Sequence, residues 1–340
     1  MSEMILTTGS ELVVKAAADL GVSLMFGYPI TPATEILELW VDLCQTNKDY
    51  QYLQTEDEIA AGFGVCGSVL AGKAAFAASA GPGNILMQDA ISMAESMRLP
   101  FVGIMVGRGG PSTGTVIYSQ QEVILTTHGG NGEGLRIVYS PGNLNELYEM
   151  TQKAFEAAWK YRFPAFVLTD GYLCKTKQNI PLRRNYHHLK SERIAKGAMR
   201  NCYNLEEELY DKLQKDFDDF KKVGSIAEAE EYELDGAKTI IVAHGIVGLA
   251  AKAAVIAMRE QGKAIGLFRP KTLSPFPAEP LFRRLRNCQK IIFVESAQGQ
   301  LEMITRSKVK ISCETRNYFK PALGITSEEL VDFFQKERLE

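Results

Sequence analysis

Residues 51–84, QYLQTEDEIAAGFGVCGSVLAGKAAFAASAGPGN, contain two strand-to-helix junctions in succession. The first leads from an extended run through an acidic turn into a small-residue helix predicted over 57–70. The second leads from an apolar strand over 74–78 through Gly81-Pro82-Gly83 into another helix. In a parallel sheet both junctions lie at the carboxyl ends of strands, where such sheets bind ligands. The stretch therefore predicts a ligand site that combines a carboxylate, Glu58, with a glycine turn.

The same alternation of short apolar strands and helices extends through the first half of the chain. Predicted strands cover 22–26, 51–54, 74–78, 101–106, 135–139 and 164–169. Predicted helices cover 10–21 (with Ser10 as N-cap), 57–70, 84–97 and 145–160, and one more runs from Pro32 to about Leu43; residues 107–122 are a predicted loop. Continuous apolar strands separated by helices favour a parallel α/β sheet covered on both faces.

The second half of the chain divides into two parts. Residues 176–236 are polar, and their regularly spaced leucine and phenylalanine residues predict an amphipathic helix, so this segment is interpreted as a partly helical connector. From 237 onward, strands predicted over 239–243, 264–268 and 291–295 and a helix over 246–261 indicate a smaller α/β unit. The predicted organisation is therefore 1–175, 176–236 and 237–340.

The composition excludes several classes of function. The chain has 340 residues, 46% of them hydrophobic, and a formal net charge of −3, so nothing indicates binding to nucleic acid or to an anionic membrane. The sequence contains neither a signal peptide pattern nor a membrane-spanning apolar run, which predicts a cytoplasmic protein. Its six cysteines are scattered without a C-x-x-C pair, and no metal site is predicted.

Glu58 has two interpretations from the residues alone. Thr55-x-x-Glu58 fits a capping box, in which the helix dipole stabilises a carboxylate at the helix N-terminus. Alternatively, Glu58 hydrogen-bonds a ring nitrogen of a cofactor. One side chain can serve both purposes, although capping lowers its pKa and proton exchange favours a pKa near neutrality.

Three further features lie near the same predicted edge. Gly81 and Gly83 allow close approach of a ligand to the backbone, and Asn84 follows them at the start of a helix; a plain strand-to-helix turn is the alternative. Arg108, on a glycine-rich loop after a strand, suits a carboxylate ligand, or else forms a surface ion pair. His128 could reach this crevice or be structural.

Longer motifs give the chain a family resemblance. They are Gly27-Tyr28-Pro29-Ile30-Thr31-Pro32-Ala33-Thr34-Glu35, Glu56-Asp57-Glu58-Ile59-Ala60, Gly81-Pro82-Gly83, Arg108-Gly109-Gly110-Pro111-Ser112-Thr113-Gly114, Thr127-His128-Gly129, Arg269 to Pro277 and Gly299-Gln300-Leu301. With these motifs in this order, nearly the whole chain resembles the alpha subunit of the 2-oxoacid:ferredoxin oxidoreductases of the 2-oxoglutarate or 2-ketoisovalerate type. Those enzymes use thiamine diphosphate to oxidise 2-oxoacids to acyl-coenzyme A.

The resemblance implies both a fold and a set of site residues. The fold is α/β: a thiamine diphosphate-binding fold (the pyrimidine-binding domain, 1–175) followed by a smaller transketolase-C-terminal-like α/β domain. Glu58 is implied to be the catalytic glutamate that shares a proton with the aminopyrimidine ring. Substrate binding is implied for Tyr28, Thr31, Arg108 and His128, and cofactor binding for Ile30, Glu58, Gly81, Gly83 and Asn84.

The sequence also predicts that the site is completed by other polypeptides. It lacks the Gly-Asp-Gly and downstream Asn of the family's diphosphate and magnesium site, and it lacks clustered cysteines. The resemblance therefore places Mg²⁺ and an iron–sulfur cluster in a beta subunit, with gamma and ferredoxin-like subunits as further partners. Coenzyme A is the implied co-substrate and ferredoxin the implied electron acceptor.

The substrate and the exact activity stay open at this stage. Tyr118-Ser119-Gln120-Gln121-Glu122-Val123 and Gly129-Gly130-Asn131-Gly132-Glu133-Gly134 depart from segments common in relatives, and they border the expected pocket for the substrate side chain. A neutral, branched or aromatic 2-oxoacid is as compatible as 2-oxoglutarate. Two alternative functions are a component of a non-oxidative thiamine diphosphate-dependent decarboxylase and a non-catalytic assembly subunit.

Overall fold

The computed structural model describes residues 3–194 and 200–337, which form helices packed on parallel β-sheets. The strands are β1 Glu3–Thr8, β2 Leu24–Gly27, β3 Gln51–Gln54, β4 Ala75–Ser79, β5 Val102–Gly107, β6 Ile137–Tyr139, β7 Ala165–Asp170, β8 Lys177–Leu182, β9 Ala229–Tyr232, β10 Thr239–Val242, β11 Ile265–Pro270, β12 Thr272–Ser274, β13 Lys290–Glu295 and β14 Glu314–Phe319.

The helices alternate with these strands along most of the chain. They are α1 Gly9–Asp19, α2 Thr34–Thr46, α3 Glu58–Leu70, α4 Pro82–Leu86, α5 Gln88–Ser96, α6 Val123–His128, α7 Leu144–Tyr161, α8 Gly171–Lys175, α9 Glu206–Val223, α10 Gly245–Glu260, α11 Ala278–Leu285, α12 Gln300–Lys308 and α13 Ser327–Lys336. In the described residues, no helix is both long and apolar enough to span a membrane.

The larger sheet has seven strands in the order β12-β6-β7-β5-β4-β2-β3, and all of them are parallel except β12. The connections that follow the neighbouring strands β2 and β4 go to opposite sides of the sheet: the chain continues from β2 to β3 on one side and from β4 to β5 on the other. Their carboxyl ends therefore form a topological switch point, the usual place of a ligand crevice in an open α/β sheet.

The centre of this sheet is fully buried. Every residue of β4, β5 and β7 is buried, as expected for parallel strands covered by helices on both faces. Phe76 of β4 makes edge-to-face contacts with Trp40 and Phe155, at centroid distances of 5.0 and 5.9 Å. The sheet thus provides a rigid base for the loops at its carboxyl edge.

The second sheet has five strands in the order β14-β13-β10-β11-β9, with β9 antiparallel. The segment 176–236, which the sequence predicts to be a connector, contains α9 but also two strands. Its strand β8 pairs with β1 near the N-terminus, and β9 joins the second sheet. Residues 195–199 of this segment lie outside the described part of the chain.

The two sheets are joined in two ways. Strand β12 leaves the second unit and pairs with β6 at the edge of the first sheet. The guanidinium of Arg269 in β11 forms two hydrogen bonds with the carboxylate of Glu146 in α7, one of them 2.9 Å long. Both side chains are buried or nearly so, which makes this a fixed contact between the units.

Several local predictions are wrong. Thr8, not Ser10, caps α1, since the Thr8 hydroxyl accepts from the backbone of Glu11 and the Glu11 carboxylate accepts from the backbone of Thr8. Helix α2 begins at Thr34 rather than at Pro32. The single helix expected over 84–97 is two helices that meet at Met87.

Candidate active site

Helix α3 begins with a cap different from the predicted one. Asp57 is the N-cap, and its carboxylate accepts from the backbone N–H of Ala60 at 2.8 Å. The Thr55 hydroxyl donates to the carbonyl oxygen of Asp57 at 2.8 Å, so the Thr55-x-x-Glu58 capping box is wrong. Because Asp57 supplies the cap, the carboxylate of Glu58 is not used in this way.

Glu58 instead faces the glycine turn from the end of α3. The residue is only 3% exposed, and its buried Oε1 makes no hydrogen bond of normal geometry. The buried Oγ of Ser79 is likewise unpartnered. A Cβ atom at Gly83 would overlap both of these oxygens. Two buried oxygens that lie near each other without a normal hydrogen bond, beside a residue that must lack a side chain, form a cradle for a polar group of a ligand.

The environment of Glu58 suits proton exchange. Burial raises the pKa of its carboxyl above the ordinary value, an effect to which the neighbouring Asp57 carboxylate adds. A backbone N–H, the positive charge of Arg108 and the nearby hydroxyl of Ser79, although it is not in normal hydrogen-bond geometry, oppose this rise without cancelling it. A raised pKa shifts proton exchange by this carboxyl towards higher pH, the direction that favours acid–base catalysis.

The glycine turn opens the short helix α4. Gly81 has φ +49°, a conformation that residues with a side chain rarely adopt, and Pro82 is the first residue of the helix. A Cβ at Gly81 would lie 2.8 Å from Nε of Arg108. The absence of side chains at Gly81 and Gly83 therefore lets Arg108 lie against the first glycine and Glu58 against the second.

Arg108 lies directly after β5 and reaches the loop that follows β2. It is 6% exposed, and its Nη1 donates to the backbone oxygen of Thr31 at 2.7 Å. Its Nε is buried without a partner, and no carboxylate among the described residues forms an ion pair with it. The surface ion-pair interpretation is therefore wrong. Arg108, Thr31 and the glycine turn meet in the crevice between β2 and β4.

Glu122 is a site-supporting residue that sequence reasoning missed. Its buried Oε1 accepts from the backbone N–H groups of Gly81 at 2.9 Å and of Arg108 at 3.1 Å. Its Oε2 accepts from the side-chain amide of Asn84 at 2.9 Å. The side chain of Asn84 is thus held inside the protein. The available signal was a lone carboxylate directly before α6.

The remaining predicted site residues lie at different distances from this centre. Tyr28 is exposed and Ile30 partly buried, both in the loop between β2 and Thr31. His128 is exposed at the far end of α6, where Nδ1 is 2.8 Å from Oγ of Thr127. Although the residue as a whole is exposed, partial desolvation of its ring lowers the pKa of His128, and the nearby cations Lys308 and Arg136 lower it further. No contact between described residues brings His128 to Glu58, Thr31 or Arg108, and its substrate-binding role stays a prediction.

A protonatable buried carboxylate, a glycine cradle and an arginine at a switch point define an enzyme of the α/β class that binds a cofactor. Residues 15–231 match the family described as pyruvate flavodoxin/ferredoxin oxidoreductase, thiamine diphosphate-binding, and residues 237–326 match pyruvate:ferredoxin oxidoreductase core domain II. The chain belongs to this 2-oxoacid:ferredoxin oxidoreductase family. It is an oxidoreductase subunit whose first domain has the thiamine diphosphate-binding fold, as the sequence motifs predict.

Two curated relatives match this chain over almost their full lengths. The ketoisovalerate oxidoreductase subunit VorB of Methanothermobacter marburgensis is 32% identical over 97% of this chain and 96% of its own. The 2-oxoglutarate synthase subunit KorA of Archaeoglobus fulgidus is 29% identical over 88% and 90%, respectively. Each of these relatives is named as a subunit of an enzyme.

Solved structures show the same architecture. A 2-oxoglutarate:ferredoxin oxidoreductase from Magnetococcus marinus, with 2-oxoglutarate, coenzyme A and succinyl-CoA bound, is similar with a TM-score of 0.90 and 25% identity. The match covers 99% of this chain and 65% of that one. A split-gene transketolase in an inactive β4 tetramer matches with a TM-score of 0.61 at 13% identity, which supports the fold alone.

Proposed function

We propose that this chain is the alpha subunit of a 2-oxoacid:ferredoxin oxidoreductase, which converts a 2-oxoacid to acyl-coenzyme A and passes electrons to ferredoxin. The observation that carries the proposal is the buried Oε1 of Glu58, which makes no hydrogen bond of normal geometry and lies directly against the backbone of Gly83. An oxygen that is removed from water without a hydrogen bond is destabilised until a ligand supplies a partner. A ring nitrogen of thiamine diphosphate would supply it.

In this proposal Glu58 and the glycine turn hold the pyrimidine half of the cofactor. When bound, thiamine diphosphate supplies the electron sink for decarboxylation of a 2-oxoacid. The task of Glu58 is to hold and exchange a proton at Oε1, for which its raised pKa is suited. Gly81 and Gly83 have no side chains, which lets Arg108 and Glu58 lie directly against the turn beside which the ring is proposed to bind.

Arg108 and Thr31 are proposed to bind the acid end of the substrate. The unpartnered Nε of Arg108 is a donor that faces the glycine turn, and a guanidinium suits a planar carboxylate. The backbone oxygen of Thr31 holds Nη1 in place, so less side-chain freedom is lost when the substrate binds. The Thr31 hydroxyl is assigned to the 2-oxo group.

The loop after Arg108 favours a substrate with an uncharged side chain. Residues 109–122 contain no lysine, arginine or histidine, so this loop offers no cation to the second carboxylate of 2-oxoglutarate. Val116 and Ile117 are exposed on it instead. These apolar side chains are suited to a branched-chain 2-oxoacid.

A partner subunit is proposed to cover the crevice and to supply the rest of the cofactor site. Exposed apolar side chains lie on the loop after β2, on β3, at the start of α3 and in α4. We call them the exposed apolar rim: Tyr28, Tyr52, Leu53, Ile59 and Ile85. Among the described residues, no group of three or more His, Cys, Asp or Glu could hold a metal ion. The Mg²⁺ and iron–sulfur sites are therefore assigned to beta, gamma or ferredoxin-like subunits.

The function is tested with the anaerobically purified complex. Viologen reduction is measured with coenzyme A and with a panel of 2-ketoisovalerate, 2-oxoglutarate and an aromatic 2-oxoacid. We expect reduction with one acid, most strongly with 2-ketoisovalerate, and a loss of at least about 100-fold in the Glu58→Gln complex because the proton-exchanging group is gone.

The matched control is Glu56→Gln, which changes an exposed carboxylate two residues away. We expect this complex to keep wild-type activity. Full activity of the Glu58→Gln complex, or no reduction with any acid by a complex that holds thiamine diphosphate and intact clusters, would reject the proposal. Turnover by the highly purified single chain would reject the requirement for a partner.

A further inference from the structure

A chain of buried hydrogen bonds runs from Arg136 to the candidate site. Nη1 of Arg136 donates to Oε1 of Gln88 at 2.8 Å, and Nε2 of Gln88 donates to Oδ1 of Asn84 at 2.8 Å. Nδ2 of Asn84 then donates to Oε2 of Glu122 at 2.9 Å. All four side chains are more than nine-tenths buried, so water cannot replace a lost partner without reorganisation.

The groups at the two ends of this series of hydrogen bonds determine which atom donates in each bond. A guanidinium can only donate, so Arg136 requires the oxygen of Gln88 to face it. The amide of Gln88 must then donate to Asn84, and Asn84 must donate to its next neighbour. At the other end, the backbone N–H groups of Gly81 and Arg108 also donate. Only a group that accepts on both sides fits between them.

We propose that Glu122 is a positioning residue that fixes the glycine turn and Arg108 relative to one another, and that its carboxylate is required because donors meet it from both directions. Oε1 binds the backbone at Gly81 and Arg108, while Oε2 binds Asn84. Glu122 thereby connects the half of the crevice assigned to the cofactor with the half assigned to the substrate. This inference rests on the proposed function of that crevice.

The geometry explains why the effect reaches the substrate. The backbone of Arg108 is held by Glu122, and its guanidinium is held by the oxygen of Thr31. If the bond from Glu122 is lost, the hydrogen bond from Nη1 to Thr31 is the one that still orients Arg108, and we expect the side chain to shift. Nε then no longer faces the space above Gly81. A loosened arginine binds the 2-oxoacid less tightly.

The experiment compares four forms of the complex: wild type, Glu122→Gln, Asn84→Asp and the double variant. In Glu122→Gln an N–H group must face either Asn84 or the two backbone N–H groups. In Asn84→Asp two carboxylates face each other. In the double variant the new carboxylate at position 84 accepts from Gln88 and from the new amide at position 122. The oxygen of that amide accepts from the backbone, so donors again meet acceptors. The total charge equals that of the wild type.

We expect Glu122→Gln to raise the KM for the 2-oxoacid by about tenfold or more, the usual scale for one buried charge-assisted hydrogen bond. The KM for coenzyme A should not change, because the proposal assigns Arg108 to the 2-oxoacid and not to coenzyme A. The double variant should recover most of the lost kcat/KM. A merely structural role of Glu122 would lower kcat and leave both KM values unchanged.

Two outcomes overturn the inference. One is a Glu122→Gln complex whose KM for the 2-oxoacid stays within twofold of the wild type. The other is a double variant no better than its worse single variant. If the wild-type complex oxidises no 2-oxoacid, the proposed function fails separately. The thermal midpoints of the four complexes then test the inference. It is supported if the midpoint of the double variant is higher than the sum of the two single-variant shifts predicts. It is rejected if the two shifts simply add.

Discussion

A methyl group at Gly83 would occupy the space between Oε1 of Glu58 and Oγ of Ser79. We therefore expect Gly83→Ala to displace the carboxylate and to abolish binding of thiamine diphosphate by the assembled complex. The measurement is cofactor content after gel filtration, together with viologen reduction.

Gly67→Ala is the matched control for this change. Gly67 lies on the same helix as Glu58, is exposed, and has no atom within 4 Å of an added Cβ. We expect full cofactor binding and, because alanine is the better helix former, a gain of about 0.5–1 kcal/mol in the free energy of unfolding. Equal cofactor binding by the Gly83→Ala and Gly67→Ala complexes would contradict the cradle at Gly83.

At the residue scale, the sequence predicts those site residues that lie beside glycine-rich turns of the backbone. The glycine turn, Glu58 and Arg108 could be found because a carboxylate and an arginine beside glycine loops follow apolar strands. The role of Glu122 could not be predicted, since the groups that donate hydrogen bonds to its carboxylate lie 14, 38 and 41 residues away in the chain. The capping box was wrong because Asp57, one residue earlier than Glu58, competes for the same helix end.

At the scale of elements, β3 is an edge strand whose four residues are all exposed. Such an edge is stable in a folded protein when another chain or a charged side chain covers it. We expect Leu53→Glu to leave the fold intact, since Leu53 is 54% exposed, and to weaken binding of the partner subunit at least about tenfold. The measurement is co-purification with the partner and activity at decreasing concentration.

Leu205→Glu is the control for this surface change. Leu205 has a similar exposure, 59%, and precedes α9 rather than bordering the crevice. We expect its complex to assemble as the wild type does. If Leu53→Glu and Leu205→Glu weaken assembly equally, the exposed apolar rim is not the partner surface.

Secondary-structure elements were predicted best where a short continuous apolar run in the sequence marks a buried strand. The six parallel strands of the first sheet lie within about two residues of their predicted bounds, and in β4, β5 and β7 burial on both faces leaves no alternative pattern. Strand β12 was not predicted, because it lies in a proline-rich segment. Helices α4 and α5 were merged because no proline or glycine marks Met87, where the break occurs. Strand β8 pairs with β1, and β9 pairs with β11. These pairings join segments that are distant in the chain, so the periodicity of the sequence does not reveal them.

At the scale of the whole molecule, the Glu146–Arg269 pair predicts a dependence on pH. Burial alone would raise the pKa of Glu146, but hydrogen bonds and charge from Arg269 outweigh it and hold the value at about 2, below the ordinary 4.5. The resulting stabilisation, of the order of 3 kcal/mol, is complete above pH 4.5 and is lost as the pH falls through 2.

We therefore expect Glu146→Gln to lower the thermal midpoint of the chain at neutral pH, where it leaves Arg269 with one carboxylate fewer. The difference from the wild type should shrink as the pH falls below about 4.5. Thermal unfolding followed between pH 7 and pH 3 measures this. A difference that stays constant across that range would show that the charge of Glu146 contributes nothing to the junction between the units.

The strand β12 has a consequence for synthesis of the chain on the ribosome. The first sheet is completed by a strand encoded about a hundred residues after β7, so β6 remains an open edge while those residues are made. At about 5–20 residues per second, this interval lasts roughly 5–20 s. During it the nascent protein offers an unpaired strand to other nascent copies, and chaperone dependence during translation is the expected result.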